Sequence, residues 1–245
     1  MQPRLNVAKS ACELIEEEVR RFFLNKSSDA LQNMPVREIL TSKIVEHINS
    51  YYKLGKNDFI SFVYKDDKER LRLEDPNIIY DKSNHDTDSY VWVINFIHDY
   101  DNFCRKLPFW TLSLSIIHKE ETICTYILNP FLDIFLFSER GTGAVNNQRK
   151  VRAETYSESL IFGKSTIIET PRRFQSLNKL SVNSVSIELI YLSRGLIDFY
   201  ILSHHDYEHN QDCILIAKEA GIIINSKDDY LVLGNERNMK MLEIF

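Results

Sequence analysis

The chain has few of the residues that mark several common classes of protein. Only seven of its 245 residues are glycine, which is low for a catalytic α/β protein rich in tight phosphate-binding loops. Its four cysteines are scattered and form no Cys-x-x-Cys pair, so we expect them to be reduced and mostly buried. No apolar run reaches the length of a membrane span, and no signal peptide is recognisable. We therefore expect a cytoplasmic protein without a membrane partner.

The charge balance gives no sign of a nucleic-acid partner. The formal net charge is −5, whereas proteins that bind polyanions usually carry an excess of basic residues. Hydrophobic residues make up 44% of the chain and aromatic residues 11%, which is enough for a packed core. The length predicts one large domain or two small ones.

Apolar periodicity and punctuation by glycine and proline predict a chain that mixes helices and strands. Helices are predicted at residues 5–24, 36–52, 185–194, 210–220 and from Asn235, which can cap the last one. Strands are predicted at residues 58–64, 91–94, 111–116, 122–128, 132–138, 159–162, 196–202, 222–225 and 228–233. The charged residues 65–89 predict a flexible surface segment. Residues 203–209 predict a polar loop.

The most patterned stretch of the sequence is residues 91–152. Residues 92–103 read WVINFIHDYDNF, and LPFW follows at residues 107–110. Further along come LNP at residues 128–130 and ERGTGA at residues 139–144. This stretch resembles the core of the inositol monophosphatase family, which usually reads WVIDP(I/L)DGTTNF, then (L/I)P(H/F)(F/W), V(Y/V)DP and ERGxGA.

The resemblance continues outside that core. GLID at residues 195–198 and AKEAG at residues 217–221 resemble the family's AG(R/K)(I/V)DG and VxEAGG. The first eight residues resemble the start of the bacterial SuhB subgroup. The resemblance implies an α/β (α+β) fold, the layered αβαβα sandwich of the inositol monophosphatase and sugar phosphatase type. Residues 1–150 would form two helices and a mainly antiparallel sheet, residues 151–245 a C-terminal α/β half, and two chains a homodimer.

The same alignment implies that the family's magnesium carboxylates are missing. Asn95 and His98 stand where the family has its two motif aspartates, on either side of Ile97. Asp99 replaces the motif glycine, and Tyr100 replaces the threonine that helps position the attacking water. One of the family's remaining ligand positions falls on His209, which follows Glu208. Another falls near residues 62–65, where no acidic residue stands, and a third aligns loosely with Leu40. Magnesium prefers carboxylate oxygens, whereas imidazole suits zinc and other transition metals.

The family fold would bring two polar segments to one cleft, which suggests a replacement metal site. Its metal candidates are His98, His209, Asp101 and Asp206, and the wider set also contains Asp99, His204, His205 and Glu208. Clusters of histidines and carboxylates hold zinc. The same residues are also explained by random replacement of ligands that catalysis no longer requires. We favour this explanation over a new metal site, because Asp99 and Tyr100 also alter the loop. Gly141-Thr142-Gly143 lacks the lysine and helix of a phosphate loop, so it predicts a turn that requires positive φ.

Three functions remain open from the sequence. The first is a catalytically impaired family member kept for protein interaction, since the SuhB subgroup includes proteins that act in transcription complexes. The second is a magnesium-dependent phosphatase acting on inositol 1-phosphate, with carboxylates such as Asp99, Asp101 and Asp206 converging on one cleft. The third is a decaying protein with no retained activity, which the intact hydrophobic patterning of the strands disfavours.

Overall fold

The structure is a computed structural model that describes residues 2–24, 36–52, 58–63, 78–79, 88–154 and 159–242. The chain divides into two compact units, residues 1–135 and residues 136–245. The boundary implied by the family resemblance lies near residue 150. The two units are described separately below.

The first unit combines long N-terminal helices with a mixed sheet. Its elements are α1 (Gln2–Leu24), α2 (Val36–Tyr51), β1 (Asp58–Val63), β2 (Ile78–Ile79), β3 (Tyr90–His98), α3 (Tyr100–Cys104), β4 (Thr111–His118) and β5 (Glu121–Asn129). The strands follow the order β2-β1-β3-β4-β5. β1 pairs in parallel with both β2 and β3, whereas β3, β4 and β5 pair antiparallel. Among the described strands of this unit, parallel pairing is thus found on the β2-β1-β3 side.

The core of the first unit is aromatic. The first six residues of β4 are all buried, because this central strand is covered on both of its faces. Trp110 is fully buried, and Phe103 meets its indole edge-on at 5.2 Å between ring centroids. Phe23, on the last turn of α1, packs against both rings. The apolar stripe of α1 is thus held against the sheet at the end where β3 leads into α3.

The second unit contains a hairpin run and a second mixed sheet. Its elements are β6 (Ile134–Glu139, starting two residues before the unit boundary), β7 (Gly143–Asn146), β8 (Arg149–Val151), β9 (Ile161–Lys164), β10 (Asn178–Lys179), α4 (Val185–Ser193), β11 (Phe199–Leu202), α5 (His204–His209), α6 (Gln211–Glu219), β12 (Ile222–Ser226), β13 (Leu231–Asn235) and α7 (Glu236–Leu242). β6, β7 and β8 pair antiparallel in sequence order. The second sheet has the order β10-β9-β11-β13-β12.

The core of the second unit lies against this sheet. Phe174 and Phe199 meet at a T-shaped angle within a buried cluster that also includes Phe162 and Met239. Gly163 faces Tyr200, and a Cβ there would lie 2.7 Å from the Tyr200 ring. A side chain at position 163 would collide with this ring, so only glycine allows β9 to pair with β11 here.

Most predicted elements are confirmed, and the exceptions are short or polar. The strand predicted at residues 91–94 extends to His98, and α3 follows it at once. The predicted polar loop at residues 203–209 is the helix α5, and the predicted flexible segment contains the strand β2. Residues 25–35 and 64–77 lie outside the described residues, and they include residues 64 and 65 of the expected ligand region. Asn235 caps α7 as predicted, since its Oδ1 accepts a hydrogen bond from the backbone N–H of Asn238 at 2.8 Å.

The cysteines agree with the sequence prediction. Cys12, Cys124 and Cys213 are buried free thiols, and Cys104 is partly exposed. Burial raises the pKa of the Cys12 thiol far above its usual range, so this sulfur stays protonated and unreactive. None of the described helices combines the length and apolar character required to cross a bilayer.

Candidate functional site

The segment that carries the family resemblance lies where β3 ends and α3 begins. Asn95 is paired with Ser113 of β4, but the next pairing joins His98 to Thr111. Three steps along β3 therefore oppose two steps along β4, which is a β-bulge. Bulges redirect side chains at the ends of strands. This one interrupts, at residues 95–98, the regular alternation of β3 residues between the two faces of the sheet.

Two residues of this segment have left-handed backbone conformations. Ile97 has φ of 54° and is almost fully buried. Asp99 has φ of 59° and ψ of 51° and stands at the N-cap of α3. A β-branched residue at positive φ is a genuine outlier, and such strain often marks functional segments. Asp99 thus adopts a backbone conformation that glycine favours.

His98 is held by a hydrogen bond at each ring nitrogen. Its Nδ1 lies 3.2 Å from Asn95 Nδ2, and its Nε2 lies 3.3 Å from Ser113 Oγ. Because an amide nitrogen can only donate, Nδ1 accepts, and Nε2–H donates to the serine hydroxyl. In this arrangement the Nδ1 lone pair is directed at the Asn95 amide. The side chains at the two motif positions, 95 and 98, are bonded to each other and carry no negative charge.

The residues after His98 hold the turn into α3. The carbonyl of Asp99 accepts hydrogen bonds from the backbone N–H groups of Asn102 and Phe103. Asn102 is buried and donates through Nδ2 to the carbonyl of Phe109 at 2.8 Å. Tyr100 stacks on Phe103 at 6.0 Å between centroids, and Asp101 is exposed. Tyr100 thus adds an aromatic contact to the turn into α3.

The second predicted segment forms α5 in the other unit. Ser203 caps this helix, with its hydroxyl accepting from the backbone N–H of Asp206 at 2.9 Å. His204, His205, Glu208 and His209 are exposed, and Asp206 is partly buried. His205 and His209, one turn apart, stack with their ring centroids 4.2 Å apart. His204 instead directs Nε2 at the carbonyl of Lys227, 3.3 Å away.

The predicted metal ligands are thus divided between the two units. Three members of the wider set lie in the first unit (His98, Asp99 and Asp101) and five in the second. Within the part of the chain that the structure describes, no three His, Cys, Asp or Glu side chains are grouped in a way that would hold a metal ion. The magnesium and zinc assignments therefore stay predictions.

A carboxylate that sequence reasoning missed organises the Gly-Thr-Gly turn. Glu219, the last residue of α6, accepts hydrogen bonds from the backbone N–H groups of Gly141 at 2.7 Å and Gly143 at 2.8 Å. These glycines have φ of 80° and 88°, which confirms the predicted positive-φ turn. Both partners belong to motifs recognised in the sequence, ERGTGA and AKEAG, but the sequence alone did not link them. The turn binds an anion, and that anion is the protein's own side chain.

Comparison with known proteins identifies the family. Residues 6–237 match the model of the inositol monophosphatase family. The fructose-1,6-bisphosphatase/inositol-1-monophosphatase of Thermotoga maritima is 22% identical over 183 residues, covering 69% of this chain and 72% of its own. The Nus factor SuhB of Escherichia coli is 24% identical over 211 residues, covering 74% and 78%.

Solved structures agree on the fold. The suhB extragenic suppressor protein of Bartonella henselae superposes with a TM-score of 0.69 at 18% identity, over 98% of this chain and 96% of that one. An inositol monophosphatase of Thermotoga maritima gives the same TM-score at 16% identity. The predicted α/β fold of this type is therefore confirmed, with its two mixed sheets and flanking helices. The chain belongs to the inositol monophosphatase family.

Proposed function

We propose that this protein is a SuhB-like pseudoenzyme of the inositol monophosphatase family, kept for interaction with other proteins. The observation that carries the proposal is the hydrogen-bonded pair of Asn95 and His98 at the end of β3. In the family motif these positions hold aspartates. Here they hold an amide and an imidazole that are hydrogen-bonded to each other.

The donor set at this segment does not fit magnesium. Mg²⁺ requires near-octahedral oxygen ligands and is usually bound through carboxylates. His98 offers nitrogen, and both of its ring nitrogens already have partners in Asn95 and Ser113. The Asn95 amide oxygen carries no formal charge. We therefore propose no metal-dependent hydrolysis at this segment.

The scaffold around the segment is intact although its ligands have changed. The bulge, the left-handed Asp99 and the buried Asn102 still hold the β3–α3 turn. In the second unit, Glu219 still holds the Gly-Thr-Gly turn. A protein losing all function would also accumulate polar residues at apolar core positions, yet Leu112, Leu114 and Ile116 of β4 are apolar and fully buried. The pattern supports a retained role that depends on the fold rather than on the metal.

A transcription-associated role is the specific form of interaction that we propose. Relatives with 24% identity include Nus factors named SuhB, and such a role would not need a catalytic centre. We further propose that the protein is cytoplasmic and acts as a homodimer. Light scattering on the purified protein should give twice the chain mass of 28.8 kDa. A pull-down with the purified host transcription complex, with the E. coli Nus factor as positive control, tests the partner.

The alternative is a magnesium-dependent phosphomonoesterase that hydrolyses inositol 1-phosphate to inositol and phosphate. It is favoured by the presence of Asp99 and Asp101 directly after His98 and by the Thermotoga maritima relative named for that activity. The deciding assay measures phosphate release from inositol 1-phosphate with millimolar Mg²⁺, alongside the Thermotoga maritima enzyme. We expect release only from the latter. Magnesium-dependent turnover by this chain would replace our proposal with the alternative.

A further inference from the structure

The second sheet ends at β12 (Ile222–Ser226), which pairs antiparallel with β13 and with no other described strand. In an antiparallel pair, alternate residues direct their backbone N–H and C=O groups away from the neighbouring strand. β12 therefore presents a row of hydrogen-bonding groups along its outer edge. Such a row is a template on which another extended chain can pair.

β12 lacks the features that usually protect an edge strand. Edge strands are commonly short, carry charged side chains, or are interrupted by a bulge or a proline. Among the described edge strands, β2 and β10 have two residues each, and β8 carries Arg149 and Lys150. β12 has five residues with the sequence IIINS, none of them charged or proline, and its register with β13 is continuous. This pattern favours an edge that another chain covers.

An apolar side chain is exposed at this edge. Ile223 and Asn225 lie on the face of the sheet that carries the buried cluster of Val232 and Met239, because Asn225 is paired with Val232. Ile223 is nevertheless 39% exposed, and Asn225 is exposed as well. The apolar layer therefore reaches solvent at Ile223. A strand paired with the outer edge of β12 would cover this side chain and bond the outward backbone groups.

The sequence of β12 complements itself in an antiparallel arrangement. A two-fold axis through Ile224 places Ile223 opposite Asn225 of a second copy, and Ile222 opposite Ser226 of that copy. No charged residue of the strand then faces another, whereas like charges directly opposite each other destabilise a pair of strands. Because both copies contribute the same edge, the contact closes at two chains and does not continue into a fibre.

Charges beyond the strand fit the same arrangement. Asp228 and Asp229 are exposed in the turn that follows β12, and Lys218 is exposed in the last turn of α6, shortly before β12 begins. Antiparallel pairing brings the turn of each copy towards the residues that precede β12 in the other copy. The two aspartates therefore approach Lys218 of the second copy, and the same contact repeats at the other end of the paired strands. This charge complementarity favours a second copy as the occupant of the edge.

We infer that β12 forms the dimer interface of this protein, where the edge strands of two copies pair antiparallel and join their second sheets into one continuous sheet. The inference rests on the homodimer proposed above and adds the surface that forms it. Main-chain hydrogen bonds supply the pairing, burial of Ile223 adds an apolar contact, and the charges at each end set the direction.

Charge substitutions in β12 test both the surface and the register. Ile223→Lys/Asn225→Lys places lysine opposite lysine at two points of the paired edges, and it should raise the dissociation constant of the dimer at least about tenfold. Ile223→Lys/Asn225→Glu places opposite charges at the same points and should restore dimerisation. Ile167→Lys is the matched control, because Ile167 is 70% exposed in a turn of the same unit. Sedimentation velocity over a concentration series measures the dissociation constant, and circular dichroism confirms that each variant is folded.

Hydrogen exchange gives an independent readout of the paired edge. The outward amides of β12 should exchange slowly in the wild-type dimer and faster after dilution or in Ile223→Lys/Asn225→Lys. An unchanged dissociation constant in that variant would overturn the inference and leave the homodimer to another surface. Equal loss of dimerisation in both double variants would overturn the antiparallel register through Ile224. A wild-type chain that stays monomeric throughout the concentration series would overturn both the inference and the proposed homodimer.

Discussion

Asp58 is a buried carboxylate that accepts hydrogen bonds from three residues far apart in the sequence, Arg4, Tyr52 and Trp92. Its Oδ1 accepts from Arg4 Nε at 2.8 Å and from Trp92 Nε1 at 3.3 Å, and its Oδ2 accepts from Arg4 Nη2 and from the Tyr52 hydroxyl. Burial lowers the pKa of the Arg4 guanidinium, but the hydrogen bond and charge of Asp58 outweigh this, and the net shift is upward. The group ties the start of α1 to β1 and β3.

Removing this carboxylate should strongly destabilise the protein. Asp58→Asn leaves Arg4 with an uncompensated charge in a site where the aspartate is only 2% exposed. Breaking one side of such a pair costs about 3 kcal/mol. Urea unfolding measures the loss, and Glu13→Gln, which removes one partner of the exposed Lys9–Glu13 pair, should change stability by less than about 0.5 kcal/mol. Similar losses in both variants would contradict the account.

The left-handed Asp99 makes a separate prediction at the residue scale. Asparagine and aspartate tolerate φ near 59° better than other residues with a Cβ, whereas β-branched residues do not. Asp99→Val should therefore lose about 1–2 kcal/mol of unfolding free energy, and Asp99→Asn should be nearly neutral. Thermal unfolding of the two variants distinguishes them. Equal stability would mean that the segment does not keep this conformation in solution.

At the scale of elements, α1 and α2 are joined by a hydrogen bond that depends on pH. His47 Nε2 lies 2.7 Å from Ser10 Oγ, and burial lowers the pKa of the His47 imidazole. The folded state therefore binds its proton less tightly than the unfolded state. The free energy of unfolding should fall as the pH drops below about 6.5, the pKa of histidine in the unfolded chain. The fall should end once the pH is below the lower pKa of His47 in the folded protein. His47→Gln should flatten this part of the curve, whereas His204→Gln should not.

Glu219 links α6 to the turn between β6 and β7. A carboxylate at the C-terminal end of a helix is unfavourable to the helix dipole, and the N–H groups of Gly141 and Gly143 offset that cost. Glu219→Gln keeps only one oxygen acceptor and should lose about 1 kcal/mol. Hydrogen exchange at the Gly141 and Gly143 amides should accelerate in this variant. Unchanged protection would show that the carboxylate does not hold the turn, and Glu208→Gln serves as the control.

The sequence predicted elements where local signals were strong. The apolar stripe of α1, the alternation of β4 and the Asn235 cap are all local patterns, and all are confirmed. It failed at α5, because residues 204–209 contain no apolar periodicity and the helix depends on its Ser203 cap. It also missed the short β2, whose two residues are strand only because β1 pairs with them.

For the whole molecule, the family resemblance located the candidate segment but not its contacts. The resemblance aligned Asn95 and His98 with the two motif aspartates, yet it did not show that these side chains bond to each other or that Ser113 completes the arrangement. The bonds between Glu219 and its glycines join residues 76 and 78 positions apart, and Arg4 and Asp58 are 54 positions apart. Such pairings depend on the packed fold, which single-sequence patterns do not specify.

We propose that the segment at residues 95–101 does not bind magnesium, and calorimetric titration of the wild-type chain with Mg²⁺ measures this binding. A parallel titration of the Thermotoga maritima relative provides the positive control. We predict saturable heat from the relative and none from this chain at millimolar Mg²⁺. Saturable magnesium binding that His98→Ala or Asn95→Ala abolishes would contradict the account and restore the phosphatase assignment.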